Sequence, residues 1–198
     1  MDIMIIVYAV LAYFIGSIPS GLIIGKTFFN TDVRQYGSKN IGATNTYRVI
    51  GLKAALPVFL CDALKGAAGV VLLSSYGPMY MILGGILAMM GHNWSIFLGF
   101  KGGRGVATGL GVLIALSPLV ALICFFVWGV IVYFTKLVSL GSIIAAALVP
   151  VLMYFTGESF WFVGFGGLAA LFVIVRHWDN IKRLLAGNEL KVERIKKD

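Results

Sequence analysis

Long apolar runs separated by short polar connections dominate the chain. They cover roughly residues 3–24, 52–75, 79–99, 105–116, 117–135, 138–156 and 159–177. A bilayer core about 30 Å thick needs about 20 helical residues, so the runs predict seven membrane spans. The fourth is short: it can tilt little, stop halfway, or be a re-entrant piece broken from the fifth at Ser117-Pro118, where proline interrupts a helix. The runs are continuously apolar and not alternating, which favours helices over a β-barrel. Gly16-Ser-Ile-Pro-Ser-Gly21 is expected to kink the first span near its inner end or to let helices approach closely.

Composition agrees with this pattern. Sixty per cent of residues are hydrophobic, 12% are charged and the mean hydropathy is +0.96, values of an integral membrane protein. The chain reads as a single transmembrane domain over residues 1–198, without a soluble domain, linker or low-complexity tract. The first span lacks a basic leading region and a small-residue cleavage site and is expected to be retained.

Charge orients the layout. With the N-terminus outside and the C-terminus cytoplasmic, every Lys and Arg except Lys65 falls on inward connections or the tail, Lys196 and Lys197 included. Only Asp2 and Glu158 fall outside. This satisfies the positive-inside rule for an odd number of crossings, five or seven. The net charge of +8 is then a one-sided field for anionic lipids and small anions, not a nucleic-acid surface. Ile181, Leu184, Leu185 and Leu190 among the tail cations suit a short helix on the inner membrane surface.

Two features are set aside. Cys61 and Cys124 lie in apolar runs without metal-ligand spacing and read as packing residues. Gly25-Lys26-Thr27 resembles the end of a P-loop, but residue 20 is Ser20 where a glycine is required, and no βαβ context surrounds it.

Three polar constellations remain, all inward in this topology. The first, Gly37-Ser-Lys-Asn-Ile-Gly-Ala-Thr-Asn-Thr-Tyr-Arg48, mixes turn residues, hydroxyls, amides and cations before the second span. It can supply anion donors at a helix start. The second, Lys101-Gly-Gly-Arg-Gly-Val-Ala-Thr108, is expected to cradle a phosphate with glycine N–H groups beside Lys101 and Arg104. The third, Arg176-His-Trp-Asp-Asn-Ile-Lys-Arg183, puts His177 and Asn180 on one helix face. Histidine there can relay a proton or donate to an oxyanion, and Asn180 can orient either group. His92-Asn93 ends the third span, and Ser139 and Ser142 begin the sixth at a matching depth. Asp62 and Lys65, three apart within the second span, are expected to pair or to line a polar cavity, since intramembrane charge is costly.

The runs Gly37-Ser-x-Asn-x-Gly-Ala-Thr-Asn-x-x-Arg48, Gly99-Phe-Lys-Gly-Gly-Arg-Gly-Val-Ala-Thr108 and Arg176-His-x-x-Asn-Ile-x-Arg-Leu-Leu-x-Gly187 occur in this order along nearly the whole chain. Together they resemble the bacterial acyl-phosphate:glycerol-3-phosphate acyltransferases of the PlsY type. The resemblance implies a seven-helix enzyme of the bacterial cytoplasmic (inner) membrane with its active site facing the cytoplasm. It implies transfer of a fatty acyl group from acyl phosphate to the 1-hydroxyl of glycerol 3-phosphate, giving lysophosphatidic acid for phospholipid synthesis. The His-x4-Asp signature of other glycerophosphate acyltransferases is absent: neither His92 nor His177 has an aspartate five residues on.

Carried over by position, the resemblance implies catalytic roles for Ser142, His177 and Asn180. Substrate binding falls to Ser38, Asn40, Gly42, Thr44, Asn45, Arg48, Lys101, Gly102, Gly103, Arg104 and Gly105. Two positions depart from the expected pattern: Arg104 where lysine is expected in some relatives, and Lys39 where glycine is expected. The first loop is expected to hold the donor phosphate, and Arg104, Arg48, His177 and Asn180 the acceptor. Either His177 or the donor's phosphate can take the hydroxyl proton. No cofactor or metal is implied, the partners are the two substrates and the bilayer, and a monomer suffices. A transporter of phosphate-bearing anions would instead place donors near the bilayer midplane, and a scaffold would leave three donor-rich loops on one face unexplained.

Overall fold

In this computed structural model, residues 2–195 are described; Lys196 and Lys197, counted above among the inward cations, lie outside the described residues. The described residues form helices and turns and no strand. The Asp2 carboxylate caps α1 (Ile3–Ser17) by accepting from the Met4 amide at 3.0 Å. The first span is not one helix over 3–24: α1 stops at Ser17, and α2 (Ser20–Phe29) leaves at 46°. Pro19 is the cause, since it disfavours helical backbone at the residue before it. The break exposes two carbonyls inside the protein, and distant side chains satisfy both. The Ser95 hydroxyl donates to Ser17 O at 2.6 Å and the Lys65 ammonium to Ile18 O at 3.0 Å.

The remaining helices are α3 (Ala43–Val49), α4 (Leu52–Leu72), α5 (Pro78–Asn93), α6 (Val106–Leu116), α7 (Pro118–Thr135), α8 (Val138–Phe155), α9 (Phe160–Arg176) and α10 (Trp178–Leu185). Four stretches are long and apolar enough to cross a bilayer: Leu52–Tyr76, Pro78–Leu98, Pro118–Thr135 and Val138–Phe155. The bent pairs α1–α2 and α9–α10, the latter turning by 61°, raise the count to six. The predicted fourth span is α6, whose 11 residues fall short of that length. It ends at Ser117-Pro118, where the sequence pattern placed the interruption.

α1, α4, α5 and α6 pack as one group and α7, α8 and α9 as another, joined chiefly where α6 meets α7. Between α4 and α6 the backbones nearly touch. A Cβ on Gly66 would lie 2.0 Å from Thr108 O, and one on Gly111 would lie 1.8 Å from Ala63 O. Small residues permit this approach, as is usual for helices packed in lipid. The outer surface carries exposed Phe134, Phe155 and Phe160, an arrangement that water would penalise and lipid would not.

Backbone carbonyls tie the polar connections to one end of the bundle. Val192 N donates to Lys136 O at 2.8 Å, Ile195 N to Arg48 O at 2.9 Å, and the Arg194 guanidinium to Ile50 O at 3.0 Å. Arg176 reaches Gly103 O at 2.8 Å. The three motif-bearing stretches are therefore neighbours despite their separation in sequence.

Candidate active site

Asn45 builds the first loop. The two hydrogens of its amide nitrogen are shared among Val33 O at 2.8 Å, Asn40 O at 2.9 Å and Tyr36 O at 3.2 Å, and its Oδ1 accepts from Ser38 N at 2.9 Å. Asn40 Oδ1 in turn accepts from Gly42 N at 2.8 Å. Both side chains thus spend polar atoms on the loop itself. Lys39 sits at φ +58°, the left-handed conformation that glycine adopts without cost, so this departure from the expected motif keeps the same turn. Upstream, the Arg34 guanidinium at 2.7 Å holds the Asp32 carboxyl well below the usual range, with Lys26 assisting at 3.2 Å.

Two amides of the glycine loop are bound within the protein. Gly102 N donates to Asn93 O at 3.1 Å and Gly103 N to His92 O at 3.0 Å, so these two N–H groups are already engaged. Their lack of a side chain allows contact with α5: a Cβ on Gly103 would lie 2.0 Å from His92 Nε2. Lys101 is exposed, and Lys101, Gly102 and Gly103 do not border the cavity described below. Arg104 and Gly105 do border it. Arg104 makes no hydrogen bond or ion pair with the described residues. Behind it, the first amides of α6 lack intrahelical partners and carry the positive end of that helix's dipole.

His177 occupies the bend between α9 and α10 and is 3% exposed. Its Nδ1 lies 2.8 Å from Val173 O. A carbonyl can only accept, so Nδ1 carries the hydrogen and Nε2 of the neutral ring keeps its lone pair. One turn on, the Asn180 amide donates to Glu189 Oε1 at 2.6 Å, leaving Asn180 Oδ1 buried without a hydrogen-bond partner among the described residues. Arg183 holds the other oxygen of Glu189 at 2.7 Å. The buried Arg48 donates to Leu190 O at 2.7 Å and Lys191 O at 2.9 Å, fixing the same tail segment. Burial pushes the guanidinium pKa of Arg48 and of Arg104 down; Glu189 pushes that of Arg48 back up, while Arg183 pushes that of Arg104 further down. Both remain charged at neutral pH.

One cavity collects these groups. Its mouth carries Ser38, Asn40, Gly42, Thr44, Asn45, Arg48, Arg104, Gly105, Ser142, His177, Asn180 and Glu189. Ser142 donates its hydroxyl to Val138 O at 2.9 Å, and the unpartnered Ser139 hydroxyl lies beside it. Below the mouth the walls are mostly apolar, with Phe59, Leu110, Phe125 and Ala145 leading down to Leu113, Cys124, Val149 and Phe165, while Asp62 and His92 also border the cavity. Leu113 and Cys124 belong to a buried cluster with Val120, Ala121 and Met153. The residues carried over from the motifs therefore converge, apart from Lys101, Gly102 and Gly103.

Sequence reasoning passed over Glu189, the buried acid that organises Asn180 and Arg183. Its only local signal is an acidic residue two places beyond the third motif's Gly187, in a tail that mixes Lys and Arg with Glu193 and Asp198. The Trp128 indole also borders the cavity with its N–H unpartnered, and nothing in its apolar run marked it.

A protein-family model for glycerol-3-phosphate acyltransferase matches residues 6–187. A glycerol-3-phosphate acyltransferase of Fusobacterium nucleatum is 47% identical over 186 residues, covering 93% of this chain and 96% of the relative. Glycerol-3-phosphate acyltransferase 2 of Moorella thermoacetica is 47% identical over 184 residues, covering 92% and 95%. Two crystal structures of PlsY (YgiH), an integral membrane glycerol 3-phosphate acyltransferase, share the fold. The glycerol 3-phosphate form superposes with a TM-score of 0.89 at 37% identity, covering 94% of each chain. The lysophosphatidic acid form gives 0.88 at 36%, again covering 94% of each. With the motifs, the helical membrane fold and near-complete coverage in agreement, the chain belongs to the glycerol-3-phosphate acyltransferase family of membrane enzymes.

Proposed function

We propose that this enzyme transfers a fatty acyl group from acyl phosphate to the 1-hydroxyl of glycerol 3-phosphate, releasing inorganic phosphate and lysophosphatidic acid. The single observation that supports this reading is the cavity's division into a cationic, hydrogen-bonding mouth and a largely apolar interior. An acyl phosphate has the same division. Its tail enters between α6, α7, α8 and α9, and its phosphate remains at the mouth. The solved relatives described in glycerol 3-phosphate and lysophosphatidic acid forms support the acceptor and the product.

In the proposed site, the Ser38 and Thr44 hydroxyls face the donor phosphate. Arg104 and the start of α6 receive the acceptor phosphate, and Asn180 Oδ1 accepts a hydrogen bond from a glycerol hydroxyl. His177 Nε2 accepts the proton of the attacking 1-hydroxyl as its oxygen bonds to the acyl carbon; the bond from that carbon to the phosphate oxygen breaks, and the phosphate leaves with the electron pair. The proton then passes to the departing phosphate, which restores the neutral imidazole. Holding two anions together against their repulsion is where fixed cations contribute most, and positioning can lower the barrier by about 7 kcal/mol or more. No acyl-enzyme is invoked, because Ser142 has its hydroxyl turned to Val138 O.

The proposal includes a monomer with seven spans, N-terminus outside, in the bacterial inner membrane and with the mouth on the cytoplasmic side. The clustering of Lys and Arg connections at that one end supports the orientation. Incubating purified protein with palmitoyl phosphate and glycerol 3-phosphate tests the reaction: equal yields of lysophosphatidic acid and phosphate are expected. Turnover with palmitoyl-CoA and none with palmitoyl phosphate would overturn the donor assignment.

A further inference from the structure

Three ionisable side chains lie within the helical bundle and outside the mechanism above. Asp62 is 2% exposed, Lys65 6% and His92 4%. Lys65 Nζ is 2.7 Å from Asp62 Oδ1, close for an ion pair yet poorly aligned as a hydrogen bond. His92 Nδ1 faces the same oxygen at 3.7 Å, in electrostatic contact but beyond hydrogen-bond length. A buried ion pair is a poor device for stability alone, because desolvation offsets most of the attraction. Inside a membrane protein such groups generally mark function.

Their outward contacts lead to two different loops. Lys65 donates to Ile18 O at the Pro19 break and so holds the head of α2. α2 in turn carries the first loop: Gly21 abuts Ile41 so closely that a Cβ would lie 1.8 Å from Ile41 O. On the other side the His92 ring lies under Gly103, and His92 O accepts the Gly103 amide at 3.0 Å. Gly103 O is also the acceptor for Arg176, and the next residue is Arg104. Asp62 and His92 themselves border the cavity.

We propose that Asp62, Lys65 and His92 form one buried positioning cluster that sets the first loop and the glycine loop at a fixed distance from each other. Lys65 anchors the loop on the donor side, and His92 anchors Arg104 on the acceptor side. Asp62 joins the two. This inference rests on the reading that the two loops serve the two substrates.

The test replaces the pair by apolar residues together, Asp62→Leu with Lys65→Met, and separately makes His92→Ala and His92→Asn. Removing both charges at once leaves no orphaned ion, and Ile18 O keeps the Ser20 amide at 3.0 Å, so the double variant is expected to unfold in detergent near the wild-type temperature. Its KM for both palmitoyl phosphate and glycerol 3-phosphate is expected to rise at least about tenfold. His92→Ala should raise the glycerol 3-phosphate KM alone, and His92→Asn, which keeps a nitrogen toward Asp62, should recover part of the loss. A well-folded double variant with wild-type constants would overturn the proposal, as would losses that track unfolding temperature across all variants. A wild type inactive on this substrate pair would instead refute the reading beneath it.

Discussion

Asn180 and Glu189 are joined by a hydrogen bond of 2.6 Å that fixes which way the asparagine amide points. An ionised carboxylate only accepts, so the amide nitrogen must face Glu189 and Oδ1 must face the cavity. Glu189 thereby decides the polarity of a group in the reaction site. Replacing it with Ala removes that constraint and leaves Arg183 without its partner, a loss of about 1.5–3 kcal/mol for a bond to a charged group. Glu189→Ala is expected to lower both the unfolding temperature in detergent and turnover. Glu189→Gln, whose own Oε1 can still accept from Asn180, should keep more of both; equal damage by Gln and Ala would show that acceptor geometry is not what matters.

His177 provides a separate test of the proton's route. With Nδ1 committed to Val173 O at 2.8 Å, Nε2 is positioned to accept. General-base assistance is worth about 10²- to 10⁴-fold. Single-turnover rates of His177→Ala at saturating substrates are expected to fall by at least about a hundredfold on that basis. A chemical step within a few fold of wild type would transfer the base role to the donor's own phosphate.

Arg104 borders the cavity and makes no hydrogen bond or ion pair among the described residues, whereas Arg48 is bound to Leu190 O and Lys191 O. The two arginines should therefore fail differently. Arg104→Ala is expected to raise the glycerol 3-phosphate KM more than about tenfold with a smaller change in kcat, the mark of lost binding. Arg104→Lys should restore much of it, since a point charge still attracts phosphate. Arg48→Ala should reduce thermal stability as well, because it releases the tail. Steady-state kinetics paired with unfolding curves separate the two patterns.

The helical layers were legible because lipid demands long apolar runs, and the interruption at Ser117-Pro118 was legible because proline acts locally. The kink near Pro19 could be foreseen, but the carbonyls it frees are satisfied by Lys65 and Ser95, 47 and 78 positions away. Gly102 and Gly103 were expected to turn their N–H groups to a phosphate, but these donate to Asn93 O and His92 O at the end of α5, a contact that nothing in the local spacing revealed. Glu189 was hidden for the related reason that an acid in a basic tail looks like a solvated residue. Its meaning depends on Asn180, which faces it only because the chain turns back at Gly187. Contacts written into neighbouring residues can be read from sequence; those made by chain reversal cannot.

The far end of the cavity offers a test of the proposed acyl site. From Gly105 to Leu113 along α6, and from Val138 to Val149 along α8, the helical rise is about 12 to 16 Å, roughly half the hydrocarbon core. Beyond that depth Leu113 and Cys124, which line the cavity, pack with Val120, Ala121 and Met153 in a buried cluster. Val149→Phe adds bulk at that end, at an overpacking cost of about 1–3 kcal/mol. Turnover of palmitoyl phosphate is then expected to fall at least about tenfold relative to decanoyl phosphate, because only the longer tail competes with the new ring. The comparison is internal, so a general loss of folded protein cancels from the ratio. An unchanged ratio in the folded variant would mean that the chain leaves the cavity sideways into lipid before reaching that end.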